Sequence, residues 1–492
     1  LAPGDGSWLY RWDASCTAAP NGGTVLAPDG QPACGRWLLC HDGTVDARCF
    51  GVFGPETPAD DALDALMADS SVRCIRFGTD VNFTQRHTFT RGGVTLDFTG
   101  RQVTARGIAP ARHNDPFGAL FHFTGALLPE VRRFALTQPL PELYDVFEVP
   151  DAESIPLYSW WQVRVNRLAG SEEREIDKLL CVTEHIDATH VRVNYKMGWP
   201  LEAGRTMTWQ RVGPICGVCV QNMEFCGNPG GETSGAQPLA FEYAVRCDVR
   251  DIHARHTYWP VILRRHNTHY VTERCSLQNP VEVVVGGTGY LTQQIHCLYG
   301  KVRDCTCSNA RHLNDFTGSA FCMVENCHAD GDFHGAYVTH GQYEHDLTYL
   351  GNSGLLSFAN SGPVWGGCAR RITVVRHTGF WGIGFAKVSE LTLQDVAVCH
   401  TGAYDGVDTG GYGPCGTFLL NADGLQMRGC TGDKLVLTQR SRRARRPNLI
   451  EGCWFQDGVR ICRSGNGAVA ADTEIVLRDN RCDVPAGEEV LG

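Results

Sequence analysis

From Gly217 to the end of the chain, apolar and polar residues alternate in short runs, and most runs close on Cys, Asn or Asp before the next begins. VCVQNMEFCG (218–227), HYVTERCSLQN (269–279), FCMVENCHADG (321–331), LTLQDVAVCH (391–400) and IVLRDNRCD (475–483) share this phase. Strict alternation predicts strands that send successive side chains to opposite faces. Equivalent positions recur about every 20–35 residues, the span of one or two turns of a solenoid. No single unit can bury its apolar side alone, so neighbours must stack into one continuous core. The expected fold is all-β, a right-handed parallel β-helix of roughly ten coils over 217–492. A β-propeller would need more even blades, and a leucine-rich solenoid a leucine consensus that is absent.

Upstream the pattern changes. Residues 1–50 are turn-rich without periodicity and read as a neck segment. In 51–127, ADDALDALMAD predicts a short amphipathic helix with Leu63 and Leu66 on one side, and SVRCIRFG and GGVTLDFTG predict first coils. Residues 128–216 carry WWQVRVNRL, SEEREIDKLL and HVRVNYKMGWP, which predict a small β-rich insertion with a tryptophan-lined core of its own.

Composition narrows the classes. The 56 glycines suit tight turns, and a net charge of −10 gives no general field for nucleic acid or anionic lipid. No apolar run approaches the ~20 residues of a membrane helix. The 23 cysteines sit mostly beside Val, Leu or Phe in strand-like runs, the habit of buried reduced thiols, which implies assembly in a reducing cytoplasm. The one CxxC, CGVC (216–219), lacks the further ligands of a zinc site. No cofactor and no resident metal is expected.

The chemistry concentrates between Cys305 and Asp346, which holds five of the 18 histidines among carboxylates and glycines. Such density of titratable groups marks a candidate site. If the segments are extended, His328, Asp330, Asp332 and His334 form one outward row and His340, Gln342, Glu344 and Asp346 another. Paired carboxylates are what glycosidic cleavage needs, one to protonate the leaving oxygen and one to activate water or attack. On this reading Glu344 is the acid and Asp330 or Asp332 the base. Asp315, His312 and His340 are further participants, and with a coil of about 22 residues His312 stacks near His334 and Asp315 near Tyr337. Arg311 would hold an anionic or polyhydroxylated ring through its planar fork. GGTGY (286–290) lacks the continuation of a phosphate loop and reads as a coil corner placing Tyr290. Tyr343, Trp365 and Trp381 are candidate stacking platforms for sugar, and RSRRARRP (440–447) is a basic loop. A His/Asp metal site would favour phosphodiester cleavage instead.

VDARCFGVFG, the Asp60–Asp61 pair opening a helix and GGVTLDFTG, with GGTGY, ARH-x-x-x-DFTGSA and TH-x-x-YEHDL further on, resemble the pectate-lyase-like β-helices of bacteriophage tailspikes and tail appendages. That resemblance implies a homotrimer that binds and cleaves a bacterial surface polysaccharide. It also implies a place on the virion tail, reached through an N-terminal domain upstream of Leu1, since the chain opens without Met. Two rivals remain: a lyase on a uronic-acid polymer, with His312 or His340 as base and Arg311 neutralising the carboxylate, and a non-catalytic adhesin.

Overall fold

The computed structural model describes residues 7–30, 33–108, 117–171, 173–228, 237–330, 335–358, 368–402, 405–406, 415–438, 446–462, 474–482 and 487–489. The candidates Asp332, His334 and Trp365, and 440–445 of the basic run, lie outside them.

The chain winds into a right-handed parallel β-helix with three walls. The first wall runs rung upon rung from Thr44–Asp46 through Cys74–Arg76 and Lys301–Arg303 to Ile475–Arg478. The second carries Ser276–Gln278, Thr306–Ser308 and His328–Asp330 in parallel register. The third carries Ile262–Thr268, Tyr290–Ile295, His312–Thr317 and Tyr337–Thr339. Inward Val, Ile, Leu and Phe from all three make one core along the axis.

The Asn and Asp punctuation marks the corner between the first and second walls. Asn222, Asp251, Asp304 and Asn326 all adopt left-handed backbone there, with φ of 57°, 53°, 53° and 49°. Short polar side chains tolerate that conformation best and stack along the corner: Asn326 donates to Asp304 at 2.7 Å, and Asn222 to Asp97 at 2.8 Å. The cysteines do related work. Cys275 and Cys430 donate their N–H groups to the Sγ of Cys305 and Cys453, one coil on, at 3.4 Å. Cys327 and Cys453 make the same bond to the Oδ1 of Asn352 and Asn480. Thiol and amide thus alternate as ladder acceptors, and every described cysteine assigned a state is unpaired.

The predicted helix is Asp60–Ala68, with Leu63 and Leu66 fully buried against the first coils. Its Asp60 carboxylate accepts from the N–H groups of Thr84 and Gln85 and pairs with His87 at 2.9 Å, which ties the helix to the coil beneath. Residues 10–39 form a three-stranded antiparallel sheet, and the solenoid begins at Thr44.

The insertion leaves the third wall after Phe121–Thr124 and returns at Ile215, where the rung Leu239–Val245 resumes the ladder. It is a six-stranded antiparallel sheet around Trp161 and Trp209, whose rings lie 6.1 Å apart. Leu298 and Ala320 of the solenoid belong to the same core, so the insertion is packed on the coils. At Gly125 the outgoing chain passes the returning one so closely that a Cβ would stand 2.7 Å from both the Gly213 and Tyr243 carbonyl oxygens. Gly125→Ala is therefore expected to cost about 1–3 kcal/mol, read as a lower unfolding midpoint with little change in the native spectrum.

Candidate active site

The site begins with wall register. On the third wall Gln293, Asp315 and Val338 are successive rungs of one column. Phe316 points into the core, so Asp315 lies on the outer side. Its side chain is nevertheless 0% exposed. The predicted neighbour of Asp315 was Tyr337; the coil is one residue longer, and Val338 takes that place.

His340 covers Asp315. Its Nε2 lies 2.9 Å from Asp315 Oδ2, and its side chain remains 22% exposed. Gln293 Nε2 donates to the same oxygen at 3.3 Å, and Thr317 Oγ1 to Oδ1 at 3.3 Å. Burial alone would raise the Asp315 carboxyl, but the His340 charge and hydrogen bond outweigh it and hold the group below its ordinary value. Burial likewise opposes the charged imidazole, and Asp315 outweighs it, so His340 titrates above its ordinary value. The two form a buried anion with a proton carrier at the surface.

Glu344 is fully buried on the adjoining coil. Its Oε1 accepts from the N–H groups of Gly318 and His340 at 3.0 and 3.3 Å, and its Oε2 from the N–H of Gln342 at 2.8 Å. Burial raises its pKa, opposed by the Gly318 N–H and the His340 charge. Asp346 does not continue the predicted outward row. Left-handed backbone at Tyr343 and Asp346, with φ of 64° and 52°, breaks the alternation. Asp346 instead binds His345 at 2.7 Å and Arg371 at 2.8 Å through each oxygen.

The insertion roofs this part of the wall. Lys178 Nζ donates to the Gly318 carbonyl, and Asp177 Oδ1 meets His266 Nε2 at 2.8 Å. His266 stacks between Tyr243 and His296 at 5.1 and 5.2 Å. The next position of that stack is Gly318, where a Cβ would stand 2.6 Å from His296 Nδ1. Burial pushes Lys178 down to about 8 and His296 down to about 3. Tyr195 OH reaches His345 Nε2 at 2.7 Å from the other end of the insertion.

The remaining candidates fall elsewhere. His312 is buried beneath the site, its Nδ1–H committed to the Gly335 carbonyl and its ring 4.3 Å from that of Tyr290; burial lowers it to about 3. Tyr290 is itself buried, its hydroxyl accepting from the Gly287 N–H, so it offers no sugar platform. Arg311 turns away from Asp315 and donates to the carbonyls of Val283 and Val284. Asp330 is exposed at the end of the second wall, in register with Ser308, so it and Glu344 do not form a pair on one wall. His328, in the same strand, bonds Ser353 at 2.9 Å. Trp381 is in the core rather than exposed. Tyr343 is half-buried and packs edge-on to Trp199 at 5.1 Å. Among the described residues no three His, Cys, Asp or Glu side chains converge as a metal site, and no helix is long and apolar enough to cross a membrane. Sequence reasoning missed Gln293, Asp177 and Lys178; the last two sit in the charged run SEEREIDK of the insertion, the one signal that pointed to them.

The fold is that of phage tailspikes. The tailspike gp61 of Pseudomonas phage phi297 superposes with a TM-score of 0.58 at 13% identity, over 90% of this chain and 81% of its own. The gp54 tailspike of Acinetobacter baumannii bacteriophage AP22, solved with A. baumannii capsular saccharide, gives 0.53 at 10% identity over 87% and 76%. The tailspike gp49 of Pseudomonas phage LKA1 gives 0.51 at 12% identity over 88% and 74%. No family model matches the sequence, and no curated protein matches it either.

Proposed function

We propose that this chain is a phage tailspike that binds a bacterial surface polysaccharide, whether capsule, O-antigen or exopolysaccharide, and depolymerises it by glycosidic hydrolysis. The observation that carries the reading is the pair of carboxyls pushed in opposite directions on adjoining coils: Asp315 held ionised, Glu344 raised, and His340 touching both at 2.9 and 3.3 Å. Carboxyls driven apart in this way are suited to separate acid and base roles. His340 is the member with a solvent-facing edge. In its neutral state it takes a proton from the attacking water, and Asp315 stabilises the imidazolium that results. Glu344, which burial raises, is the carboxyl on the acid side.

The superposition with a capsule-bound tailspike supports the substrate class. A homotrimer is proposed with it; Leu127, Leu128 and Val131 on the exposed edge strand of the insertion give such an assembly an apolar face to close. Attachment to the phage tail, a place on the virion and assembly in the host cytoplasm, where the unpaired thiols remain reduced, complete the proposal.

Size-exclusion analysis of polysaccharides from a panel of strains tests it. New reducing ends and shorter chains without ultraviolet absorbance are expected. Absorbance from unsaturated uronate would instead select the lyase reading, with His340 as base, and unchanged chain length across the panel would leave an adhesin.

A further inference from the structure

Near its start the solenoid opens a cleft at the corner between the first and second walls. Asn222 and Asp251 each turn this corner with one left-handed residue, at φ of 57° and 53°. In the coil before them Asp97 pairs with Gln221 and Arg101 with Met223, so residues 98–100 span what Asn222 spans alone. Thr99 and Gly100, both left-handed at 52° and 73°, carry the excess. Such a bulge re-aims the side chains around it. Asn222 donates across it to Asp97 Oδ1 at 2.8 Å, and the Thr99 N–H donates to the same oxygen at 2.9 Å. A Cβ at Gly100 would meet no atom within 4 Å, the mark of open space there.

The cleft has a volume of about 460 Å³, inside the range of roughly 300–1,000 Å³ usual for small-ligand sites. Every residue lining it is polar or glycine. Arg76 and Asp97 face it on neighbouring rungs of the first wall, Glu224 and His253 on neighbouring rungs of the second, and Asp251 at the corner. Several of these groups are placed by the fold and still open. Asp97 is pinned through Oδ1 alone, which leaves Oδ2. His253 Nδ1 meets Ser276 Oγ at 2.9 Å, which leaves Nε2. Arg76 and Glu224 make no hydrogen bond or ion pair among the described residues. Asp46, one rung from Arg76, is taken by Arg48 at 2.9 Å. Asp251 alone is spent, both its oxygens bound by Arg274 at 2.7 and 2.8 Å.

We propose that this corner cleft is a second glycan-binding site, which takes an uncharged, hydroxyl-rich segment of polysaccharide and does not cleave it. The Asp97 and Glu224 carboxylates would accept from neighbouring sugar hydroxyls, and the Arg76 fork would donate to hydroxyl and ring oxygens. No apolar side chain lines the cleft to receive a lipid or an aromatic ligand. Two open carboxylates outweigh the one open guanidinium, so a polyanion is repelled. The cleft lies between the first and second walls, whereas Asp315 and His340 lie on the third, so the two sites engage different stretches of polymer. Two weak sites on one rigid body bind a long chain more tightly than either alone. The cleft does not rest on the hydrolase reading, because a chain that only adheres to polymer would use it equally.

Carbodiimide–amine labelling of carboxyls in the full chain, mapped by mass spectrometry, tests the site without any activity. The probes are oligosaccharides released by mild acid from neutral and from acidic surface polysaccharides of the strain panel. Glu224 is exposed and is expected to label readily before sugar is added. A saturating neutral oligosaccharide is expected to remove most of that labelling, while Asp330, exposed on the second wall several coils on, keeps its own. Arg76→Ala and Glu224→Gln change exposed side chains, so the unfolding midpoint is expected to hold. Calorimetry should show each variant binding the protecting oligosaccharide about 10-fold more weakly. Failure of every neutral oligosaccharide to protect Glu224 would overturn the site, and so would unchanged affinity in both variants. Protection by acidic oligosaccharides alone would overturn the uncharged class. Glu224 unreactive before sugar is added would show a neighbouring copy filling the cleft, and would overturn the proposal as well.

Discussion

His340→Gln is expected to lower polysaccharide cleavage by about 10²–10⁴-fold while the solenoid stays folded. The imidazole is the part of the proton unit that reaches solvent, and its side chain is 22% exposed, so its loss removes the base without opening the core. Asp315→Asn is expected to act through the same residue. Without the buried anion His340 loses the partner that raises it, so the base titrates at lower pH and the acid limb of the activity profile moves down with it. The pair also leaves a stability signature. His340 titrates higher in the folded chain than unfolded, so its contribution is complete below the unfolded value and fades as pH rises through the folded one. Asp315 titrates lower when folded, so its contribution is complete above the unfolded value and fades as pH falls through the folded one. The stability gap between native protein and His340→Gln is therefore widest at mildly acidic pH and narrows on both sides. Urea unfolding across pH measures it, and a flat gap would show that the two groups are not coupled.

The winding was legible because its requirements repeat. Each corner needs a residue that accepts left-handed backbone, and each ladder needs an acceptor one coil on; Asn326 over Asp304 and Cys305 over Cys275 meet those needs visibly in the sequence. The helix followed from Leu63 and Leu66 on one side of an acidic start. The site was legible as a region and not as a set of partners. Asp315 and Asp330 are similar carboxylates in similar strands, and only the count of residues between rungs sends one to the third wall and the other to the second. The row through Glu344 and Asp346 failed at Tyr343, a turn that alternation alone does not announce. The insertion's share was least visible, since Tyr195 meets His345 across 150 residues through a contact that no periodicity encodes.

That long-range docking sets the second large expectation: Arg371→Met should loosen the insertion from the solenoid at a cost of about 3 kcal/mol. Arg371 is the hub of the contact, holding Asp346 through two bonds of 2.8 Å and Glu142 of the insertion, with Arg370 on Glu142's other oxygen at 2.8 Å. All these side chains are mostly buried, at 9% to 25% exposed, so removing the hub leaves carboxylates short of a partner where water can replace it only in part. The pH dependence identifies the cause. Burial would raise Asp346, but its bonds to His345 and Arg371 bring it to about 2, so the stabilisation is present above the ordinary carboxylate range and is lost as pH falls toward that value. The difference between native protein and Arg371→Met should accordingly shrink in acid. Amide exchange should quicken in Asp177–Asp187 and His190–Val193 while rungs distant from the contact, such as Cys74–Arg76, keep their protection. Because the same sheet carries Lys178 onto the Gly318 carbonyl, beside Glu344, cleavage should fall in step with the loosening. Equal exchange in both parts would mean that the shared apolar core around Leu298 and Ala320 holds the insertion, and that Arg371 serves the solenoid corner alone.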